Sequence, residues 1–255
     1  MPNFKTRAAR WATYAASIAG GAALWEIAGR RANPAVAAPL SATIARLWEM
    51  AQTGELRASV GGSLALFVTG FLIALLTALP FGLLLSRVRV LRIALSDYIM
   101  LVNAMPMVAL IPFILSIFGL EFGAKVLVVF LFCFFPILYN TIEGAGSVRP
   151  ELIEVARSYR SGEWAIWRDV MLPGTFPYAM TGVRQAIGRG LVGVVAAEFF
   201  LRASGIGQVL MTSCRNFDTA GLLATVLVIT LLGVALMGIG RALEDRFTAW
   251  RGLVR

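Results

Sequence analysis

The side chains that carry most catalytic chemistry are scarce in this sequence. Its 255 residues include no His, two Cys (Cys133 and Cys214) and, among 23 basic residues, only two Lys, Lys5 and Lys125. Most metal sites and His-based triads are thereby excluded. Cys133 lies in an apolar run and Cys214 in a polar loop, so a disulfide between them is not indicated and the redox compartment stays open. No Gly-x-x-x-x-Gly-Lys-Ser/Thr cradle for nucleotide phosphates occurs. The chemistry that remains is charge in apolar surroundings. Glu198 stands in an apolar run, and a carboxylate at mid-bilayer is costly and by default a functional group. It also lies four residues before Arg202, which leaves a snorkelling or interfacial structural role open.

Those residues must be positioned by a membrane architecture. The chain is 58% hydrophobic and 15% charged, with a mean hydropathy of +0.78; soluble domains run roughly 45–50% apolar and about 25% charged. Six apolar segments are expected to span, approximately Trp11–Ala28, Leu64–Leu85, Ile93–Phe118, Val126–Ile142, Pro177–Leu201 and Ala220–Leu243. At ~20 residues per span they leave no room for a soluble catalytic domain. The first segment has one feature of a signal peptide, Ala35-Val36-Ala37 after a basic start, but its apolar run is long and Arg30 and Arg31 precede that site. Of the Lys and Arg, fourteen fall on one side of six alternating spans and seven on the other, with Arg184 and Arg189 inside the fifth; this bias places both termini in the cytoplasm. The net charge of +9 is scattered between apolar segments, which does not fit a nucleic-acid surface.

Small residues mark packing faces. Gly70, Ala74, Ala78 and Gly82 recur every four residues on the second span, and Gly182, Ala186 and Gly190, with Gly193 and Ala197, do so on the fifth. Pro106, Pro112 and Pro136 are expected to interrupt the third and fourth spans, each freeing a carbonyl for a neighbour or for water in a cavity. No internal repeat is evident.

The most informative stretch joins spans four and five, residues 143–173. Leu152, Val155, Ala156 and Tyr159 fall at i, i+3, i+4 and i+7 of a short helix begun by Pro150, with Glu151 and Glu154 near its start and Gly162 expected to end it in a left-handed cap. A second short helix is expected from Glu163 to Met171. The apolar stripe must be buried, either on its own chain or on a soluble partner.

Glu154, Ala156, Val170, Leu172 and Pro173 resemble the EAA signature of ABC importer permeases: Glu-Ala-Ala, three residues, Gly, nine residues, Ile-x-Leu-Pro. The resemblance runs roughly from Leu56 to Glu244 and narrows to the nitrate/sulfonate/taurine/bicarbonate type through Pro106, Ala109, Leu110, Pro112, Phe118-Gly119, Lys125, Phe135-Pro136, Asn140, Gly144, Ser147-Val148 and Pro150-Glu151-Leu152. Ala197-Glu198 and Gly205-Ile206-Gly207 also fit, the glycines turning the chain into a short outer helix from about Gln208 to Ser213. Val155 replaces the first Ala of the signature, and Arg160 occupies the Gly position, so the turn is expected to shift to Gly162. Glu121 stands where the group often has Gly, and Ile117 where it often has Trp.

The resemblance implies an all-α polytopic protein of the type I ABC importer permease-like fold in a bacterial inner membrane, working as a dimer, homodimeric on the leading reading. It implies an N-terminal helix and external loop over 1–55, a permease core over 56–245 and a cytoplasmic tail over 246–255. Coupling to two separate subunits that bind ATP and Mg would fall to Glu154, Ala156, Arg157, Ser158, Tyr159, Arg160, Gly162, Leu172 and Pro173. The path or gate would involve Pro106, Pro112, Asn140, Glu198, Gly205 and Gly207. An external solute-binding protein would deliver a small organic or inorganic anion, and lipid would surround the spans. No cofactor is expected in the chain itself. The competing reading is an ion-coupled secondary transporter using Glu198 or Asp97; a polytopic membrane enzyme lacks the converging side chains it would need.

Overall fold

The computed structural model describes residues 7–33, 36–200 and 205–248. Lys5, Ala35, Arg202 and the end of the tail from 249 lie outside that range. The described residues form eleven α-helices: α1 (Arg7–Arg31), α2 (Leu40–Gln52), α3 (Glu55–Arg87), α4 (Arg89–Ala104), α5 (Ile111–Phe118), α6 (Phe122–Gly146), α7 (Pro150–Ser158), α8 (Glu163–Ile166), α9 (Leu172–Phe200), α10 (Ile206–Arg215) and α11 (Thr219–Thr248). By length and apolarity α3, α6 and α11 can each cross a bilayer, and α4 with α5 meet the same measure as one bent pair. Helices α1 and α9 correspond to the other two expected spans in position and length.

The third expected span is not continuous. Its two halves meet at 87°. Pro106 has no N–H and disfavours helical geometry in the residue before it, so Met105 turns extended (φ −67°, ψ 142°) and α4 stops at Ala104. A 3₁₀ turn, Met107–Leu110, then leads into α5. Pro112 interrupts nothing: it lies in the first turn of α5, where a missing N–H has no partner to lose. Helix α2 was not among the expected spans. Glu26 of α1 caps it by accepting hydrogen bonds from the Ser41 backbone N–H (2.9 Å) and hydroxyl (2.8 Å). Arg46 of α2 then reaches Asp218 (3.1 Å), whose other oxygen accepts the Gly221 N–H (2.8 Å) at the start of α11.

The core is α6 held between α3 and α9. The two small-residue stripes are its contact faces. A Cβ on Gly190 would stand 2.5 Å from Cys133 Sγ, one on Gly193 would stand 2.9 Å from the Phe132 ring, and one on Gly82 would stand 2.9 Å from Thr141. Ala74, Ala78, Ala186 and Ala197 are fully buried. Lipid tails are as apolar as the side chains, so such helices associate by close backbone approach, and small residues permit it.

A buried polar pin holds the far end of this core. Glu198 is 1% exposed. Its Oε1 accepts from the Ser63 hydroxyl of α3 (2.6 Å) and its Oε2 from the Gly207 N–H of α10 (2.8 Å), while the Ile206 N–H donates to Ser63 Oγ (2.9 Å). Buried Lys125 of α6 acts on the carboxylate as an opposite charge. The snorkelling role is thus replaced by a packing one: the carboxylate joins α3, α9 and α10 and occupies the space a Gly205 side chain would need. Removing one partner of such a cluster orphans the others, at about 1–3 kcal/mol per buried group. Glu198→Ala should therefore lower the unfolding temperature of the purified protein markedly, and Glu198→Gln, which keeps one acceptor, should lower it less. Equal melting of the parent and the Ala variant would contradict the pin.

Candidate functional site

Two places in this frame bear on function: the hairpin joining α6 to α9, and a cleft beside the α4 break. At the base of the hairpin the chain is tightly held, because a Cβ on Gly144 would strike Tyr178 (2.5 Å) and one on Gly174 would strike Val148 (2.8 Å). Pro150 then opens α7, and the Glu151 carboxyl is held below the usual carboxylate range, chiefly by a hydrogen bond from its own backbone N–H and also by Arg149. No residue of α7 is buried. Leu152, Val155 and Tyr159 are 50%, 55% and 82% exposed, and Ala156 is half-buried. The apolar stripe read from the sequence exists, and the chain does not cover it.

The end of α7 corrects the expected turn. Arg160, not Gly162, is the left-handed residue (φ 56°). The Ser161 N–H donates to the Ala156 carbonyl (3.1 Å) and the Arg160 N–H to the Arg157 carbonyl (2.8 Å), the paired bonds of a Schellman motif. In that motif the residue after the C-cap must be left-handed, and Tyr159 is the C-cap, so helix register assigns the position to Arg160. Gly162 is extended (φ −66°, ψ 156°) and precedes α8 instead. As a non-glycine residue in the left-handed conformation, Arg160 carries roughly 1–2 kcal/mol of strain. Glu154, Arg157, Ser158 and Arg160 are all exposed, and the Arg157–Glu163 pair (3.4 Å) is weak at such a surface.

The expected second helix of the hairpin is not separate. From α8 the chain passes through a π turn, Trp167–Met171, directly into Leu172 and Pro173 of α9. Pro173 has no N–H to offer the Asp169 carbonyl, and the widened turn absorbs that loss. The second arm of the hairpin is therefore continuous with a helix of the core.

The remaining site residues divide into separate groups. Asn140 lies in the α6–α9 seam, its amide donating to the Pro136 carbonyl (2.8 Å) and to Gln185 (3.3 Å). Glu198, Gly205 and Gly207 form the pin. Pro106 sits at the break of α4, next to a cleft of about 240 Å³ whose walls include Met105, Met107, Phe132 and Phe135. Arg189 lines this cleft, with Nη1 donating to the Asn103 carbonyl (3.0 Å) and to Asn103 Oδ1 (2.7 Å). Sequence reading placed Arg189 in the fifth span and assigned it no role. The available signal was a basic residue inside an apolar span.

Residues 70–249 match the family described as the binding-protein-dependent transport system inner membrane component. Over 218 residues, 85% of this chain and 81% of the relative, it is 32% identical to the riboflavin transport system permease protein RibX of Chloroflexus aurantiacus. It is 28% identical over 221 residues to the taurine transport system permease protein TauC of Escherichia coli, covering 86% of this chain and 77% of that one. A crystal structure of an amino acid ABC transporter with histidines shares the fold, with a TM-score of 0.62 at 16% identity over 78% of this chain and 97% of that one. With the EAA-like hairpin in place between two core helices, the chain belongs to the binding-protein-dependent transport system inner membrane component family, the membrane-spanning permeases of ABC importers.

Proposed function

We propose that this permease works as a homodimer in a bacterial inner membrane, with both termini cytoplasmic, and imports a small organic or inorganic anion of the sulfonate, taurine, nitrate or bicarbonate kind. ATP and Mg²⁺ belong to two separate subunits, and an external protein delivers the solute. The observation that carries the coupling mechanism is the uncovered stripe of α7. An amphipathic helix with Leu152, Val155 and Tyr159 exposed outside the bilayer is suited to a groove on a soluble partner. Closure of the ATP-binding subunits would press on α7, and α8 with the π turn would carry that displacement into α9, rocking the core between inward and outward states. Family membership favours this over ion-coupled transport, and Glu198 already spends both oxygens on packing.

Three outcomes follow from this reading. Ala156→Trp overpacks the centre of the docking stripe, which typically costs ~1–3 kcal/mol, so the ATP-binding subunits should co-purify poorly or hydrolyse ATP without uptake while the permease remains folded. Full assembly and full uptake would remove α7 from the docking role. Arg160→Gly relieves the left-handed residue and should slow amide exchange at Ser161 by a factor consistent with about 1 kcal/mol, with coupling retained; faster exchange would contradict the strain assigned to Arg160. For orientation, Cys133 is buried, whereas Cys214 is exposed in the last turn of α10 rather than in the polar loop expected. A membrane-impermeant thiol reagent on intact spheroplasts should modify Cys214 alone, and labelling only after lysis would reverse the orientation.

A further inference from the structure

We infer that Arg189 and Asn103 form an oxyanion-recognition point inside the membrane, in the cleft opened by the break of α4. The inference rests on the anion import proposed above and adds the place where this chain itself would meet the cargo.

Two basic residues lie inside α9, and the structure treats them differently. Arg184 is neutralised by Glu244 at 3.2 Å. Arg189 has no carboxylate partner among the described residues; it meets only the neutral Asn103. It also lies at mid-span, because its neighbour Gly190 packs on Cys133, near the centre of α6. An exposed cation at that depth cannot face hydrocarbon and requires a water-lined cavity or another polar surface.

The geometry leaves the guanidinium ready to bind. A guanidinium has five N–H donors. Both hydrogens of Nη1 are engaged, one on the Asn103 carbonyl and one on Oδ1, so the Nε/Nη2 edge keeps three donors without a partner among the described residues. That edge is a fork matched to two oxygens of a carboxylate, sulfonate or nitrate. The Asn103 amide nitrogen, which donates to nothing else among the described residues, adds a further donor on the same cleft. The walls formed by Met105, Met107, Phe132 and Phe135 are apolar, which strengthens a charge interaction. The break also supplies the position: Pro106 stops α4 one turn after Leu101, and the freed Asn103 carbonyl anchors Arg189. Non-helical backbone at this depth is tolerated where it is buried in protein or lines a water-filled cavity.

The test uses the permease purified with its ATP-binding subunits in uncharged detergent, without the external binding protein. Methanesulfonate, with dimethyl sulfone as its uncharged counterpart, is titrated while the unfolding temperature is followed at constant ionic strength. Methanesulfonate should protect the parent saturably and dimethyl sulfone should not. Arg189→Gln should weaken that protection about 10- to 100-fold, the range expected for losing a charge-assisted contact. Asn103→Asp separates recognition from a purely structural cap on α4: it keeps an oxygen opposite Arg189 and supplies the missing counter-charge, so the protein should melt no lower while methanesulfonate protection disappears. Protection equal in parent and both variants, protection by dimethyl sulfone as well, or no protection of the parent would each overturn the inference. Failure of the ATP-binding subunits to co-purify with any sample, the parent included, would instead strike at the docking role of α7 and leave the anion comparison readable on the permease alone.

Discussion

Close backbone contact between α6 and its two neighbours is the constraint on which the rest of this structure depends. Phe132, Cys133, Pro136 and Thr141 of α6 fill positions where Gly193, Gly190, Gly182 and Gly82 have no side chain. Within a bilayer there is little gain from hiding one apolar surface on another, so separation and shape decide whether the helices stay together. Once α6 is wedged between α3 and α9, the ends of α6 and α9 are fixed beside each other at the hairpin and the break of α4 is fixed beside Arg189. The hairpin and the cleft beside Arg189 are therefore two consequences of one packing arrangement.

The hairpin shows how local strain is tolerated in exchange for direction. Helix α7 ends in a motif that demands a left-handed residue, and Arg160 accepts that conformation although glycine would do so more easily. The chain then re-enters helix at Glu163 and does not stop again before Phe200. An exposed stripe on a short helix is thus joined, through α8 and a π turn, to a long core helix.

Charge along α9 is handled in three ways. Glu198 accepts from donors on two other helices, α3 and α10, and serves packing. Arg184 is cancelled by Glu244. Arg189 is held in place by an amide and a carbonyl that leave its charge intact. A neutral partner positions a cation without neutralising it.

Composition and spacing by themselves determined that this is a multi-pass membrane protein, which faces of the second and fifth spans pack, and that residues 143–173 hold an amphipathic helix. These features are local or periodic, and hydrophobic pattern reports them directly. The bend at Pro106 was legible only as a proline in a span; its 87° angle depends on how α5 packs against α6. Placement of the turn at Arg160 followed helix register, which outweighed the preference of Gly162 for that conformation. Only the tertiary structure could bring Ser63 to Glu198, across 135 residues of chain, and Asn103 to Arg189, across 86. Side-chain pairs so far apart in sequence leave no periodic trace, because their meeting is set by which helices pack and at what height.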